Sequence, residues 1–193
     1  MTEFIEIAHS DDYSLAGHIL YFYDGLSGSV YKQTEDLSTL LLTISNQVAG
    51  TGFTFSSFPV YQPGNQLLDA NAGIALIGPN NNVVDFVSYG QAITATSGPA
   101  TGATSTLVGI LEAANTPPNN SIQLAGSGFR KEDFTWQGPL GASPGNINGL
   151  QTISCPTTRD SEGILVSKQP IDIETIVQKV SVTNVILDQE EGS

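Results

Sequence analysis

Short apolar runs recur along this chain with alternating hydrophobic and polar positions, and clusters of glycine, proline and asparagine separate them. Such a pattern predicts strands joined by turns. The runs are Phe4 to Ala8, His18 to Tyr23, Phe53 to Phe58, Gly73 to Ile77, Val83 to Tyr89, Thr106 to Leu111, Ser121 to Leu124 and Asp133 to Trp136. Pro79-Asn80-Asn81-Asn82 lies between two of them and predicts a hairpin, because asparagine tolerates left-handed backbone and bonds the nearby main chain. Pro117 to Asn120 and Ser143 to Asn146 predict loops on similar grounds.

Strand faces follow from the alternation. Val84, Phe86 and Ser88 share one side, with Val83, Asp85, Val87 and Tyr89 on the other. Neither side is purely polar, which predicts a central strand covered on both faces. Ile19, Tyr21 and Tyr23 likewise oppose Leu20 and Phe22. Strands of this kind need cover above and below, as packed sheets provide. Phe134 and Trp136 flank Thr135 and are expected to face the core together; full burial would make Trp136→Ala cost about 3–5 kcal/mol. The spacing of Leu37, Leu40, Leu41, Ile44 and Val48, by contrast, fits a helix with Asp36 as its cap. Near the end, Ile173, Ile176, Val177 and Val180 fit a helical stripe, whereas Val180 to Ile186 is rich enough in β-branched residues to predict a strand.

Composition narrows the partners. The 193 residues suit one sizeable core, and 19 acidic residues against 6 basic ones give a net charge of −13. Duplex binding depends on basic side chains displacing counterions, so naked nucleic acid is a poor partner, as is an anionic membrane. No apolar run approaches the roughly 18 residues of a membrane span, so no membrane insertion is expected. The first residues lack both a basic leader and an apolar segment, hence no signal peptide is expected in this chain. The single cysteine, Cys155, allows no internal disulfide and has no adjacent base to activate it.

Chemistry-bearing motifs are sparse. Gly25-Leu26-Ser27-Gly28 and Gly126-Ser127-Gly128 read as small-residue turns rather than a serine elbow, and Gly50-Thr51-Gly52 lacks the spacing of a phosphate cradle. His9, ahead of Ser10-Asp11-Asp12, reads as part of a solvated turn with at most a weak divalent-ion contact, and His18 is the only other histidine. Acidic pairs at Asp11-Asp12, Glu35-Asp36, Glu132-Asp133 and Glu190-Glu191 are mostly solvated charge; loops can assemble such groups into a weak calcium site, but none follows a calcium-loop pattern. Asn119-Asn120-Ser121 is a glycosylation acceptor only for a secreted eukaryotic protein. No catalytic residue, metal ligand or cofactor is expected.

Several of these segments, taken in order, resemble the lamin tail domain, especially bacterial-type members beside secreted nucleases and other extracellular modules. They are Phe4-Ile5-Glu6-Ile7-Ala8, Leu15 to Tyr23, Gly73 to Ile77, Val84-Asp85-Phe86-Val87-Ser88-Tyr89-Gly90 and Gly98-Pro99-Ala100-Thr101-Gly102. Ser121 to Leu124, Gly126 to Gly128, Asp133 to Trp136 and Ser143 to Gly149 complete the set. The resemblance implies an all-β, immunoglobulin-like β-sandwich over residues 1–151 with a C-terminal extension over 152–193, and extended structure in place of the helix at Leu37 to Val48. It implies a non-catalytic interaction or attachment module with a protein partner, part of a longer extracellular or cell-surface precursor. The alternative is a fragment of a larger extracellular nuclease or phosphatase whose catalytic domain lies outside this chain. Family members carry one strand ahead of the Glu3-Phe4-Ile5-Glu6 segment, which has no counterpart here; residues 180–189 look like that strand, making the chain a monomer or a head-to-tail strand-exchanged oligomer.

Overall fold

The computed structural model describes residues 4–40, 44–59, 71–111, 116–117, 119–154, 157–159 and 165–167. These residues form an all-β protein of sandwich type. Its strands are β1 (Phe4–Ser10), β2 (Ile19–Asp24), β3 (Val30–Gln33), β4 (Ile44–Val48), β5 (Phe53–Pro59), β6 (Ala72–Ile77) and β7 (Val83–Ser88). They continue with β8 (Thr106–Leu107), β9 (Asn120–Gly128), β10 (Phe134–Gly141), β11 (Gln151–Ile153), β12 (Thr157–Arg159) and β13 (Leu165–Ser167). A five-stranded sheet has the order β3-β2-β6-β7-β8, and two three-stranded sheets have the orders β1-β5-β4 and β10-β9-β11. β12 and β13 pair with each other.

Alternation sorts the five-stranded sheet into two apolar faces. Leu20 and Phe22 of β2 and Ile74 and Leu76 of β6 enter the main core, where they meet Ile5 and Ile7 of β1, Phe55 and Phe58 of β5, and Ile122 and Leu124 of β9. Burying each such side chain contributes about 1.5–3 kcal/mol. On the opposite face Tyr23, Ala75 and Phe86 pack under Ile93, Ala95 and Ala100, from the segment after β7 that folds back over the sheet. That segment is closed by bonds from Ala95 N to Ala103 O and Ser105 N to Ile93 O. Gly98 fits there only because it has no side chain: its φ is +71°, and a Cβ would lie 2.5 Å from Val30 Cγ2.

β7 is a central strand, paired with β6 on one side and β8 on the other. The β6–β7 hairpin turns as expected, with Asn81 at a φ of 59°. The helical reading of Leu37 to Val48 fails. Asp36 instead accepts bonds from Ser38 N and Gly17 N in a tight turn, Leu37 is drawn into the core by its bond to His18 O, and β4 is extended from Ile44. Thr106 to Leu111 is strand only over Thr106–Leu107, although Val108 still packs into the core. Gly126-Ser127-Gly128 belongs to β9 rather than to a turn, because β11 pairs with it in parallel. The Ile173 to Val180 stripe, the 180–189 strand and Cys155 lie outside the described residues.

Phe134 is buried in the main core and Trp136 packs against it, so this face of β10 does point inward. Trp136 is only half-buried, however, and full-burial cost does not apply. Trp136→Ala is expected to lower unfolding free energy by about 2 kcal/mol in urea titration. A loss above about 4 kcal/mol, or none, would contradict this packing.

Candidate functional site

The polar groups best placed for chemistry gather along β1 and β5, on opposite faces of one sheet. Register sets the arrangement: Ile7 lies opposite Ser56 and Glu6 opposite Ser57. On one face His9 Nδ1 is 2.9 Å from the Ser10 carbonyl and Nε2 is 3.0 Å from Ser56 Oγ. A carbonyl only accepts, so Nδ1 carries the proton, and Nε2 accepts from the Ser56 hydroxyl. Ser45 Oγ of β4 continues the chain at 3.1 Å. Burial pushes the His9 imidazole below its ordinary value, against the opposing pull of the Ser10 carbonyl and Asp11.

His18 repeats this chemistry nearby. Its Nδ1 donates to Ala16 O at 3.2 Å and its Nε2 accepts from Tyr13 Oη at 2.9 Å. Burial again lowers the imidazole, opposed by bonds to the Ala16 and Leu15 carbonyls and by Asp36. Burial thus favours the neutral form of both histidines.

On the other face of β1, Glu6 is fully buried. Its Oε2 accepts from Ser57 Oγ at 2.6 Å and from Gly145 N, while Oε1 has no partner among the described residues. Desolvation by burial pushes this carboxyl up to about 8, outweighing those two bonds. Burial therefore favours the neutral acid near neutral pH. Gly145 can approach because it has a φ of +74°, and a Cβ there would strike Ile44 Cγ2.

A second buried carboxyl, Asp85 of β7, bonds Lys131 Nζ at 2.8 Å through Oδ2 and accepts from Phe86 N at 2.7 Å through Oδ1. Lys131 opens the short 3-10 turn Lys131–Asp133 that leads into β10, so this ion pair ties two sheets together.

The residues singled out in the sequence are mostly engaged in turns. Asp11 accepts from Thr54 Oγ1 and Asp12 from Ser10 Oγ; Asp133 accepts from Phe129 N and Arg130 N. Ser27 donates to Asp24 within its loop. Asn119 is exposed and Ser121 is buried. His9 departs from the solvated-turn reading: β1 runs on through Ser10, which pairs with Phe53, and His9 is buried, 7% exposed. No group of three histidine, cysteine or acidic residues converges among the described residues. None of their helices is long and apolar enough to cross a membrane.

Glu6 and Asp85 were not singled out in the sequence. Their signal was a lone acid between apolar neighbours in strands that alternation leaves no polar face.

No family model, no curated protein and no solved structure matches this chain.

Proposed function

We propose that this chain is a non-catalytic interaction or attachment module of lamin-tail type, with an immunoglobulin-like sandwich and a protein partner, carried by a longer extracellular or cell-surface protein. The observation that carries this reading is how the reactive groups are used. His9 and Ser56 form a base and hydroxyl pair at 3.0 Å, yet Ser56 is 2% exposed and the imidazole is oriented by a main-chain carbonyl inside a sheet. A nucleophile must reach the substrate's reacting atom, and this hydroxyl faces packed protein. Glu6 and the Asp85–Lys131 pair similarly serve as internal ties. The net charge of −13 favours a protein partner over nucleic acid.

The test is hydrolysis of DNA, phosphoesters and acyl esters by purified chain, with and without magnesium, calcium or manganese. Background rates are expected throughout. Turnover abolished by His9→Ala or His18→Ala would overturn the proposal.

A further inference from the structure

The connection from β10 to β11, residues 142–150, is tied down unevenly. Its ends are anchored: Ala142 N donates to Asn119 O, Asn148 Nδ2 to Leu124 O, and Gln151 N to Asn148 O. Its tip, Ser143-Pro144-Gly145-Asn146, bonds within the connection itself, through Asn146 N to Ser143 O and Ser143 Oγ to Asn148 Oδ1. Among the described residues, the tip makes one hydrogen bond to the sheet beneath it, from Gly145 N to Glu6 Oε2.

The floor under the tip carries no other charge. Register sets Glu6, Ser57 and Ile44 in one row across β1, β5 and β4, with Ala8, Phe55 and Asn46 in the next row and Phe4 and Pro59 on the other side. Gly145 lies so close to β4 that a Cβ would meet both Ile44 and Asn46. None of these residues titrates except Glu6, and none from Ala142 to Asn148 does. Ser57 and Gly145 bond the carboxyl, and no charged side chain among the described residues acts on it. Oε1 has no donor. A carboxylate enclosed here would keep two donors in place of its hydration shell and would have no counter-charge, so the closed tip suits the neutral acid alone. Water must reach the charged form. From below it is kept out by β1 and β5, whose Ile5, Ile7, Phe55 and Phe58 are built into the main core. From above, only the single bond of the tip is in the way.

We propose that residues 143–146 form a proton-held latch, closed over the neutral Glu6 side chain and lifting about its anchored ends when that side chain gives up its proton to water. Lifting uncovers a strip made of Glu6, Ser57 and the half-buried Ile44. This device is independent of the interaction-module reading. Its closed and open forms differ in the hydration of one carboxyl, and the strands below need not move.

Exchange of the Gly145 amide, measured on the full chain and corrected for the intrinsic base dependence of exchange, reads the latch. A carboxyl that ionises near 8 when covered and near 4.5 in water makes the opening constant of Gly145 climb about fiftyfold from pH 6 to pH 8. In Glu6→Gln the constant should be the same at both pH values. The opening must also be local. At pH 8 the Gly145 constant should exceed that of Ile7, in the β1–β5 ladder, by at least about tenfold. It should hold steady in dilute urea, in which the Ile7 constant rises. A Gly145 constant that ignores pH in the native chain overturns the proposal, and so does one that changes equally in Glu6→Gln. One that matches Ile7 and follows it in urea also overturns it, because Glu6 would then meet water only on global unfolding. The native chain by itself decides the first and last of these outcomes, whether or not Glu6→Gln folds.

Discussion

Lys131→Met is expected to lower the unfolding free energy by about 3 kcal/mol at neutral pH, one of the two largest effects anticipated here. The Asp85 and Lys131 side chains are 6% and 17% exposed, so the variant removes an ammonium from beside an enclosed carboxylate. Phe86 N still donates to Asp85, and a neutral donor does not replace an ammonium at 2.8 Å. Removing both charges has a different outcome. Asp85→Leu with Lys131→Met replaces the pair by apolar groups, and most of the lost stability should return, because desolvating two charges offsets much of their attraction. Urea titration with unchanged m-values reads both results. A single variant within about 0.5 kcal/mol of the native chain would mean that the pair is solvated.

Glu6 should make the protein less stable as pH rises through neutrality. The unfolded carboxyl titrates near 4.5 and the folded one near 8, so between these values the folded state holds a proton that the unfolded state has released. The contribution is fully present below 4.5, declines as pH rises, and is gone above 8. At about 1.4 kcal/mol per pH unit the whole window amounts to about 5 kcal/mol. His9 and His18, with folded values below 6.5, add stability as pH rises and finish doing so about one unit above 6.5. Asp24 and Asp36, held low by bonds from Ser27 and Ser38, act only below about 4. The difference between the native chain and Glu6→Gln, which keeps an acceptor for Ser57 and Gly145 without a titrating proton, therefore isolates Glu6, and from pH 6.5 to 8 the native chain should lose about 2 kcal/mol relative to that variant. The Glu6→Gln profile should keep only the small rise that the histidines contribute. A native profile parallel to that of Glu6→Gln from pH 6.5 to 8 would place an ionised carboxylate at this position.

The strands most legible in the sequence were those with apolar residues on both faces. Leu20 and Phe22 against Tyr21 and Tyr23 announced a strand between two cores, and the structure packs them so. β3 was missed, and the apolar spacing misread β4 although the resemblance implied extended structure there, for the opposite reason. Val30–Gln33 and Ile44–Val48 lie at sheet edges and carry Tyr31-Lys32-Gln33 and Ser45-Asn46-Gln47, which have no alternation to read. In β4, Ile44 and Val48 also kept a spacing that a helix shares.

Buried chemistry was half legible. A glutamate in Phe4-Ile5-Glu6-Ile7-Ala8 and an aspartate in Val83-Val84-Asp85-Phe86-Val87 could be recognised as enclosed from their neighbours. Their partners could not, since Gly145 lies 139 residues from Glu6 and Lys131 lies 46 from Asp85. His9 was misread because Ser10-Asp11-Asp12 has turn chemistry. Strand pairing with Phe53 and Thr54 prevailed over that local preference through Ser10.

The central claim is that the groups able to do chemistry here hold the fold together, and His9→Gln tests it most directly. Stability and turnover are read on the same preparation, beside the native chain, over the substrates named above. The account predicts a loss of about 1–2 kcal/mol, as expected when a buried hydrogen-bonded group loses its geometry, with no turnover in either protein. Native turnover that disappears in His9→Gln, with stability unchanged, would contradict it.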